Sequence, residues 1–512
     1  MEYIIVQAGG KGTRLGYLTK NKPKALVPIE NLPMLFHLFR KYPDKKYIII
    51  ADYKKEVLRE YLQAFADVKY QVVDASATGT CSGVKQAIGL IPEKKSFMLV
   101  WSDLILPNDF ELPQDYQEGK EAQNDYIGIS KTFPCRWSYA NGEFYEESSH
   151  EHGVAGFFMF TDKSKIEDVP EGGELVRWMQ SKGMRYQELS LAGTKEFGLL
   201  EEYQKLEQEK CRPFNRITIE GNVLCKEAVD EQGRRLAKRE CAWYEKAQQY
   251  HIDVLPDIFG TNPLRMELIK GQNIYECNLP YESKKRILIK LVSELNKLHE
   301  SEVVSADSFS VKEAYFTKTI NRLSQIQDLV PFAREKEIVV NGRKCRNVFY
   351  YKRELEKKLE QIQCNKFHFI HGDCTFSNLM LRENEEPVLI DPRGYFGFTE
   401  LYGDVRYDWA KLYYSIVGNY DQFNLKKFQL EIGGGYGKAD SELPYGEVKL
   451  DIESNNWEDM EDTFFELTGA AVKEIKLLHA VIWLSLTTYA WQDYDSICGA
   501  FYNGLYYLEE VL

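Results

Sequence analysis

The chain has 512 residues, 44% apolar and 28% charged, with a formal net charge of −13. That length predicts roughly two to four domains with sizeable cores, and the acidic balance argues against a nucleic-acid partner, which would need a basic face. Small phosphorylated ligands are not excluded, because a few local Lys and Arg suffice to hold them.

The opening "MEYIIVQAGG" lacks the basic region and apolar core of a secretory signal and enters a strand pattern at once. The apolar stretch "HAVIWLSLTTYAW" near the C-terminus is too short to span a bilayer. Ten cysteines are scattered without C-x-x-C or Cys/His zinc spacing, as expected of reduced thiols. The expectation is a soluble, cytoplasmic protein with no membrane partner, and nothing in the pattern fixes an oligomeric state.

From Met1 to about Tyr203, the strands "YIIVQA", "KYIIIAD", "SFMLVWSD" and "VAGFFMF" alternate with helical patterns such as "KEVLREYLQAFA". This alternation predicts a mostly parallel, doubly wound α/β (Rossmann-like) sheet, with ligands beyond the carboxyl ends of its strands. A charged helix, "LLEEYQKLEQEK", is expected to close the region, and "CRPFN" to break it. Beyond Arg212 the order changes. "NRITIEGNVLCKEAV" reads as a hairpin turning at Glu220-Gly221-Asn222, followed by a helix in "RRLAKRECAWYEKAQQY" and a strand near "LRMELIK". From Ser283 onward the pattern is mostly helical, with one strand-loop-strand island at 367–393. The expected domains are 1–208 and 209–512, the second divided into a small β-rich lobe at about 209–272 and a helical lobe at about 273–512.

Two motif sets point to phosphate chemistry. In Gln7-Ala-Gly-Gly-Lys-Gly-Thr-Arg-Leu15, the segment Ala8, Gly9, Gly10, Gly12 and Thr13 lets backbone N–H groups converge on phosphate oxygens, while Lys11 and Arg14 add charge. In "HGDCTFSNLML", Asp373 and Asn378 stand five residues apart, and Asp391 ends the later apolar run "PVLI". Phosphoryl transfer to an alcohol needs an acceptor for the hydroxyl proton and oxygen ligands for magnesium, and this trio can supply both.

"GGKGTRL" followed by "PKALVPI" resembles the nucleotidyltransferase family that joins a nucleoside triphosphate to a sugar 1-phosphate or to phosphocholine, releasing pyrophosphate. The resemblance covers most of residues 1–205. It implies that Arg14 and Lys24 act at the phosphates, that Gly79 and Thr80 of "ATGTCSGVKQAI" line the nucleotide base, and that Asp103 of "VWSD" holds the catalytic Mg2+. Gly156 of "VAGFFMF" would lie on the acceptor side. The family's second metal carboxylate is usually Asp; "KEFGLLEEY" puts Glu196 there, with the same hard oxygen ligands. The family's Glu-Lys-Pro before the glycine strand is replaced by "YEESSHEHGVAG", which lacks the lysine that grips an acceptor phosphate.

The second set resembles the aminoglycoside phosphotransferase and choline kinase family, two-lobed α+β relatives of protein kinases, over about residues 212–512. It implies Asp373 as catalytic base, Asn378 and Asp391 as Mg2+ ligands, Asp408 as a brace of the catalytic loop and His371 as its organiser. Lys226 would pair with the α- and β-phosphates of ATP, with Glu240 as its best partner and Glu245 second. The hairpin around Phe214-Asn215 would cover the phosphates, and the backbone near Glu267–Ile269 would meet the adenine.

Together these resemblances imply a bifunctional enzyme. One domain uses ATP to phosphorylate a small hydroxyl compound, and the other transfers a nucleotidyl group from CTP or UTP to the resulting phosphomonoester. A sugar phosphorylated at its anomeric hydroxyl, for cell-surface polysaccharide precursors, is preferred. Choline, with a choline kinase and a phosphocholine cytidylyltransferase, is the alternative. A regulatory pseudoenzyme that binds nucleotide is the alternative of another class.

Overall fold

Tyr3–Gln7 is apolar on both faces because it is the central strand of a sheet covered on both sides. It runs parallel to Lys46–Ala51 and to Phe97–Trp101, and Lys69–Asp74 extends the parallel set. Ile5, Ile48 and Leu99 pack with Val84, Ile88, Leu175 and Met179 of two helices, while Ile4, Val6 and Ile49, on the opposite face, are equally buried. Such two-sided burial is why these strands read as continuous apolar runs.

The computed structural model describes residues 1–198, 200, 203, 215–229, 231–434 and 441–512. The predicted closing helix "LLEEYQKLEQEK", the breaker "CRPFN" and Phe214 lie largely or wholly outside the described residues. The described residues form two compact units. One holds those up to residue 210 with the segment Gln492–Asp495; the other holds those of Cys211–Tyr436, Ser441–Trp491 and Ser496–Leu512. Among the described residues, no helix is long and apolar enough to cross a membrane.

The nine-stranded sheet of the first unit is mixed rather than mostly parallel. Gly153–Phe160 runs antiparallel to Phe97–Trp101 and to Tyr126–Ser130, and Ser138–Ala140 pairs antiparallel with Glu143–Tyr145. Asn141 and Gly142 join that last pair, both at positive φ. Two-residue Asn-Gly turns suit hairpins, whereas a parallel neighbour needs a long crossover. The register of Gly153–Phe160 against Tyr126–Ser130 shifts between Val154 and Phe158, and Gly156 sits in this irregularity at φ 74. A Cβ on Gly156 would fall 2.0 Å from the Trp101 ring, so glycine is what lets that indole lie against the strand.

In the second unit, Asn215–Glu220, Val223–Ala228, Leu264–Glu267 and Ile258–Thr261 form an antiparallel sheet. The helix Glu231–Ala247 lies beside it; it begins and ends three residues before the stretch read from sequence. Trp243 anchors this helix: its ring stacks on Phe369 with centroids 5.2 Å apart, and its indole N–H donates to the Ile370 carbonyl at 2.7 Å. Four further helices, Tyr281–Ser301, Val405–Ile416, Val472–Leu486 and Tyr494–Leu508, supply much of the remaining core.

The expectation of a single strand island at 367–393 needs correction. A separate four-stranded sheet combines Glu337–Val340, Arg343–Arg346, Phe428–Ile432 and Glu447–Ile452. Its first two strands turn at Asn341-Gly342, both at positive φ, a hairpin dipeptide that the helical periodicity around it masked. Gly156→Ala combines a left-handed backbone penalty with an overpacked indole and is expected to destabilise the first unit by about 2 kcal/mol or more. Thermal unfolding of the variant checks this; an unchanged midpoint would contradict the tight Trp101 packing.

Candidate active sites

The first site forms at the carboxyl ends of Tyr3–Gln7 and Phe97–Trp101. The loop after Tyr3–Gln7 turns its carbonyls inward. Gly9 O accepts from Tyr53 N at 3.2 Å, Gly10 O from Lys24 N at 3.3 Å, and Gly12 O from Leu15 N at 2.9 Å. Ala8 is buried and donates to Ile50 O. Among the described residues, the N–H groups of Gly9, Gly10, Gly12 and Thr13 enter no backbone hydrogen bond, which is the polarity an anion cradle needs.

Asp103 follows the strand Phe97–Trp101, and its carbonyl accepts from Phe197 N at 3.3 Å. The short pair Lys195–Glu196 with Leu104–Ile105 sets Glu196 beside it. Lys24 Nζ ion-pairs with Asp103 Oδ2 and lies 3.7 Å from Glu196 Oε1. Arg14, 64% exposed, reaches 3.9 Å from the same Glu196 oxygen. Burial and the neighbouring Asp103 push the Glu196 carboxyl up, against the pull of Lys24 and Arg14. Asp103 Oδ1 is buried without a hydrogen-bond partner. Two adjacent carboxylates, one with a bare buried oxygen, fit a hard divalent cation. Among the described residues no group of three or more His, Cys, Asp or Glu side chains forms a metal cage, so such an ion would complete its shell from phosphate and water oxygens.

Thr80 is partly committed to the fold. Its hydroxyl accepts from Leu175 N at 2.8 Å and its carbonyl from Gln7 Nε2. The neighbouring Gly79 carbonyl accepts from Ser82 N at 3.1 Å.

In the second unit, Lys226 reaches from Val223–Ala228 to three oxygens. Its Nζ is 2.9 and 2.8 Å from the two Glu240 oxygens and 2.9 Å from Asp391 Oδ1. Glu245 instead accepts from Thr261 Oγ1 at 2.6 Å. Glu240 lies one helical turn before Trp243, so the indole that grips Ile370 also fixes the carboxylate that holds Lys226. The Glu267 side chain pairs with both Arg382 terminal nitrogens, and its N–H donates to Asp257 O. Leu268 N–H goes to Asn222 O, whereas Ile269, itself buried, makes no backbone hydrogen bond with a described residue.

The "HGDCTFSN" loop is built around Asp408. This fully buried carboxylate accepts from His371 N at 2.9 Å, Gly372 N at 2.7 Å and His299 Nε2 at 3.0 Å. Burial opposes its ionisation, yet the His299 bond and the backbone donors hold the carboxyl below the usual range. His371 is buried and its Nδ1 accepts from Asp373 N at 3.3 Å; burial lowers its pKa. Asp373 remains 31% exposed on its side chain and pairs with Lys411 Nζ at 2.9 Å. Lys411 and Arg393 keep its carboxyl below the usual range despite burial. Asn378 Nδ2 donates to the Asp373 carbonyl at 3.0 Å, and Asn378 O accepts from Ile390 N at 2.9 Å, which brings Asn378 against the Asp391 segment. The oxygens of Asn378 and Asp391 offer magnesium the hard donors it prefers.

Lys411, Arg393 and His299 were missed as site residues. Lys411 stands one turn after Asp408 in "YDWAKLYY" and Arg393 two after Asp391 in "LIDPRG", so local spacing carried a signal for both. His299 lies on the distant helix Tyr281–Ser301, and no local spacing announces it.

Residues 3–134 match the family model described as nucleotidyl transferase, and the N-terminal unit carries a nucleotidyltransferase domain of Rossmann-like fold. Over 109 residues the chain is 31% identical to the bifunctional protein GlmU of Methanocaldococcus jannaschii, covering 21% of this chain and 26% of that protein. Over 92 residues it is 32% identical to the D-glycero-alpha-D-manno-heptose 1-phosphate guanylyltransferase of Campylobacter jejuni, covering 17% and 42%. The CTP:phosphocholine cytidylyltransferase LicC from Streptococcus pneumoniae aligns over 41% of this chain and 99% of its own, at 20% identity and a TM-score of 0.32. The chain spans about a quarter of the length of the archaeal GlmU relative.

Asp408→Ala strands two buried N–H groups and His299, and is expected to cost about 3–5 kcal/mol in urea denaturation at neutral pH. Because the folded-state pKa of Asp408 is depressed, its contribution is present above the unfolded carboxylate pKa. The gap between wild type and variant should therefore shrink as pH falls below about 4; a constant gap would mean that Asp408 does not hold its ligands as a charge.

Proposed function

We propose that the chain carries out two consecutive phosphoryl reactions. Residues 209–512 form a two-lobed, protein-kinase-like domain that phosphorylates a small hydroxyl compound with ATP. Residues 1–208 attach the resulting phosphomonoester to a nucleotidyl group from CTP or UTP and release pyrophosphate. The observation that carries the kinase half is Lys226, held between Glu240 and Asp391 beside the Asp373–Asn378 loop. A strand lysine, a helix glutamate and a loop aspartate that meet in this way are what a Mg–ATP site needs. The family match over residues 3–134 supports the other half.

In the kinase, Asp373 accepts the proton of the attacking hydroxyl and Lys226 meets the nucleotide phosphates. In the transferase, the acceptor's phosphate oxygen attacks the α-phosphorus. The loop amides cradle the phosphates, while Lys24 and Arg14 offset charge that builds on them. Mg2+ held by Asp103 and Glu196 at one site, and by Asn378 and Asp391 at the other, supplies further neutralisation of phosphate charge when bound. A sugar 1-phosphate is the favoured acceptor, since the Campylobacter relative is named for one; cell-surface polysaccharide precursors are the natural destination.

Asp373→Asn is expected to cut ATP-dependent phosphorylation by about a hundredfold or more while sparing nucleotidyl transfer to a supplied phosphomonoester; Asp103→Asn should do the reverse. ADP and pyrophosphate release, measured separately, check this. Both activities falling together in either variant would refute two independent sites.

A further inference from the structure

Many buried or half-buried basic side chains of the second unit are ion-paired: Lys284 with Asp459, Arg382 with Glu267, and Arg406 with both Asp404 and Glu474. Around Asp373 the pattern breaks. Lys318 and Arg322 lie one turn apart on the helix Lys318–Ile326 and so share a face. One turn earlier, Tyr315 packs against Tyr407 and Phe396, with ring centroids 6.3 and 5.3 Å apart, which sets this helix beside Val405–Ile416, the helix whose Lys411 pairs with Asp373. Arg393 approaches the Tyr407 hydroxyl at 3.5 Å and lies over the Tyr395 ring at 4.8 Å. Among the described residues Arg322 donates only to neutral groups, the Ser485 carbonyl at 2.6 Å and its hydroxyl at 3.0 Å. Of the four cations Lys318, Arg322, Arg393 and Lys411, only Lys411 has a carboxylate partner among the described residues, and that partner is Asp373 itself.

We infer that the hydroxyl substrate phosphorylated at Asp373 is an anion, a small hydroxy compound bearing a carboxylate or phosphate that is held by Lys318, Arg322 and Arg393. This rests on the kinase reading given above. In an acidic protein, cations gathered without counter-charges cost stability, and an anionic ligand is what offsets that cost. The cluster's field is felt by its neighbours. Burial opposes ionisation of the Tyr407 phenol, yet Lys411, Lys318 and Arg393 bring it down to about 8, and burial together with Arg393, Arg322 and Lys411 holds Lys318 below its usual range. Triphosphate binding does not account for the set, because Lys226 already serves the nucleotide. A quaternary ammonium such as choline would meet like charge. In the reaction, the substrate oxygen bonds to the γ-phosphorus, the bond from that phosphorus to the bridging oxygen of ADP breaks, and the hydroxyl proton passes to Asp373.

The test uses the full chain with Mg2+ and ATP. ADP release is followed with D-glycerate, glucuronate and glucose 6-phosphate, against their uncharged counterparts glycerol and glucose, and choline. Binding of each compound is measured in parallel by calorimetry with ADP present. At least one anion is expected to bind, and to turn over with kcat/KM about tenfold or more above its uncharged counterpart. Lys318→Gln with Arg322→Gln should raise KM for that anion about tenfold while leaving KM for ATP unchanged. ADP release with choline or glucose at equal or greater efficiency, a rise in KM for ATP instead, or no binding of any anion would overturn the inference. Anion binding that is lost in the double variant, without ADP release from any compound, would sink the kinase reading and leave the anion site standing.

Discussion

A lysine held between two carboxylates recurs in both units, and each candidate site is organised around one. Lys24 stands between Asp103 and Glu196, and Lys226 between Glu240 and Asp391. Carboxylates brought close enough to share a divalent ion repel one another, and burial deepens the cost. Burial and then the neighbouring Asp103 push the Glu196 carboxyl up accordingly. The lysine makes the arrangement tolerable before a nucleotide arrives, and under the proposed function its charge is then available to phosphate. Much of the surrounding architecture serves to place these groups: a strand end for Asp103, a two-residue strand for Glu196, and a helix clamped by Trp243 for Glu240.

Asp408 solves a different problem. The loop that carries Asp373 must expose one carboxylate while its own backbone stays ordered. A buried carboxylate that accepts two successive backbone N–H groups and an imidazole fixes the loop from beneath, leaving Asp373 to face outward with Lys411. The two aspartates therefore divide the work, one structural and fully buried, the other partly exposed.

Much of this was legible in the sequence where chemistry and local spacing coincide. The parallel strands announced themselves as apolar runs; Asp103, Asp373 and Asp391 stood out because each ends or follows an apolar run, and Asn378 because it stands five residues after Asp373. The antiparallel part of the first sheet and the sheet containing Glu337–Val340 were not anticipated, although Asn141-Gly142 and Asn341-Gly342 are the dipeptides that hairpins favour. Periodicity weighed over long windows hid these short turns. The cations near Asp373 were illegible for another reason. Lys318 and Arg322 come from one helix, Arg393 from a loop and Lys411 from another helix, and only tertiary packing through Tyr315 and Tyr407 reveals that they share one neighbourhood.

Under the proposed function, the phosphate added in the second unit becomes the phosphate joined to nucleotide in the first. ATP carrying heavy oxygen in its γ-phosphoryl group, supplied with CTP or UTP and the hydroxyl substrate, tests it most directly by mass spectrometry of the products. The expected result is a nucleoside diphosphate conjugate with the label in the phosphate next to the substrate, and unlabelled pyrophosphate. A labelled phosphomonoester that accumulates without entering any conjugate, with both nucleotides present, would contradict it.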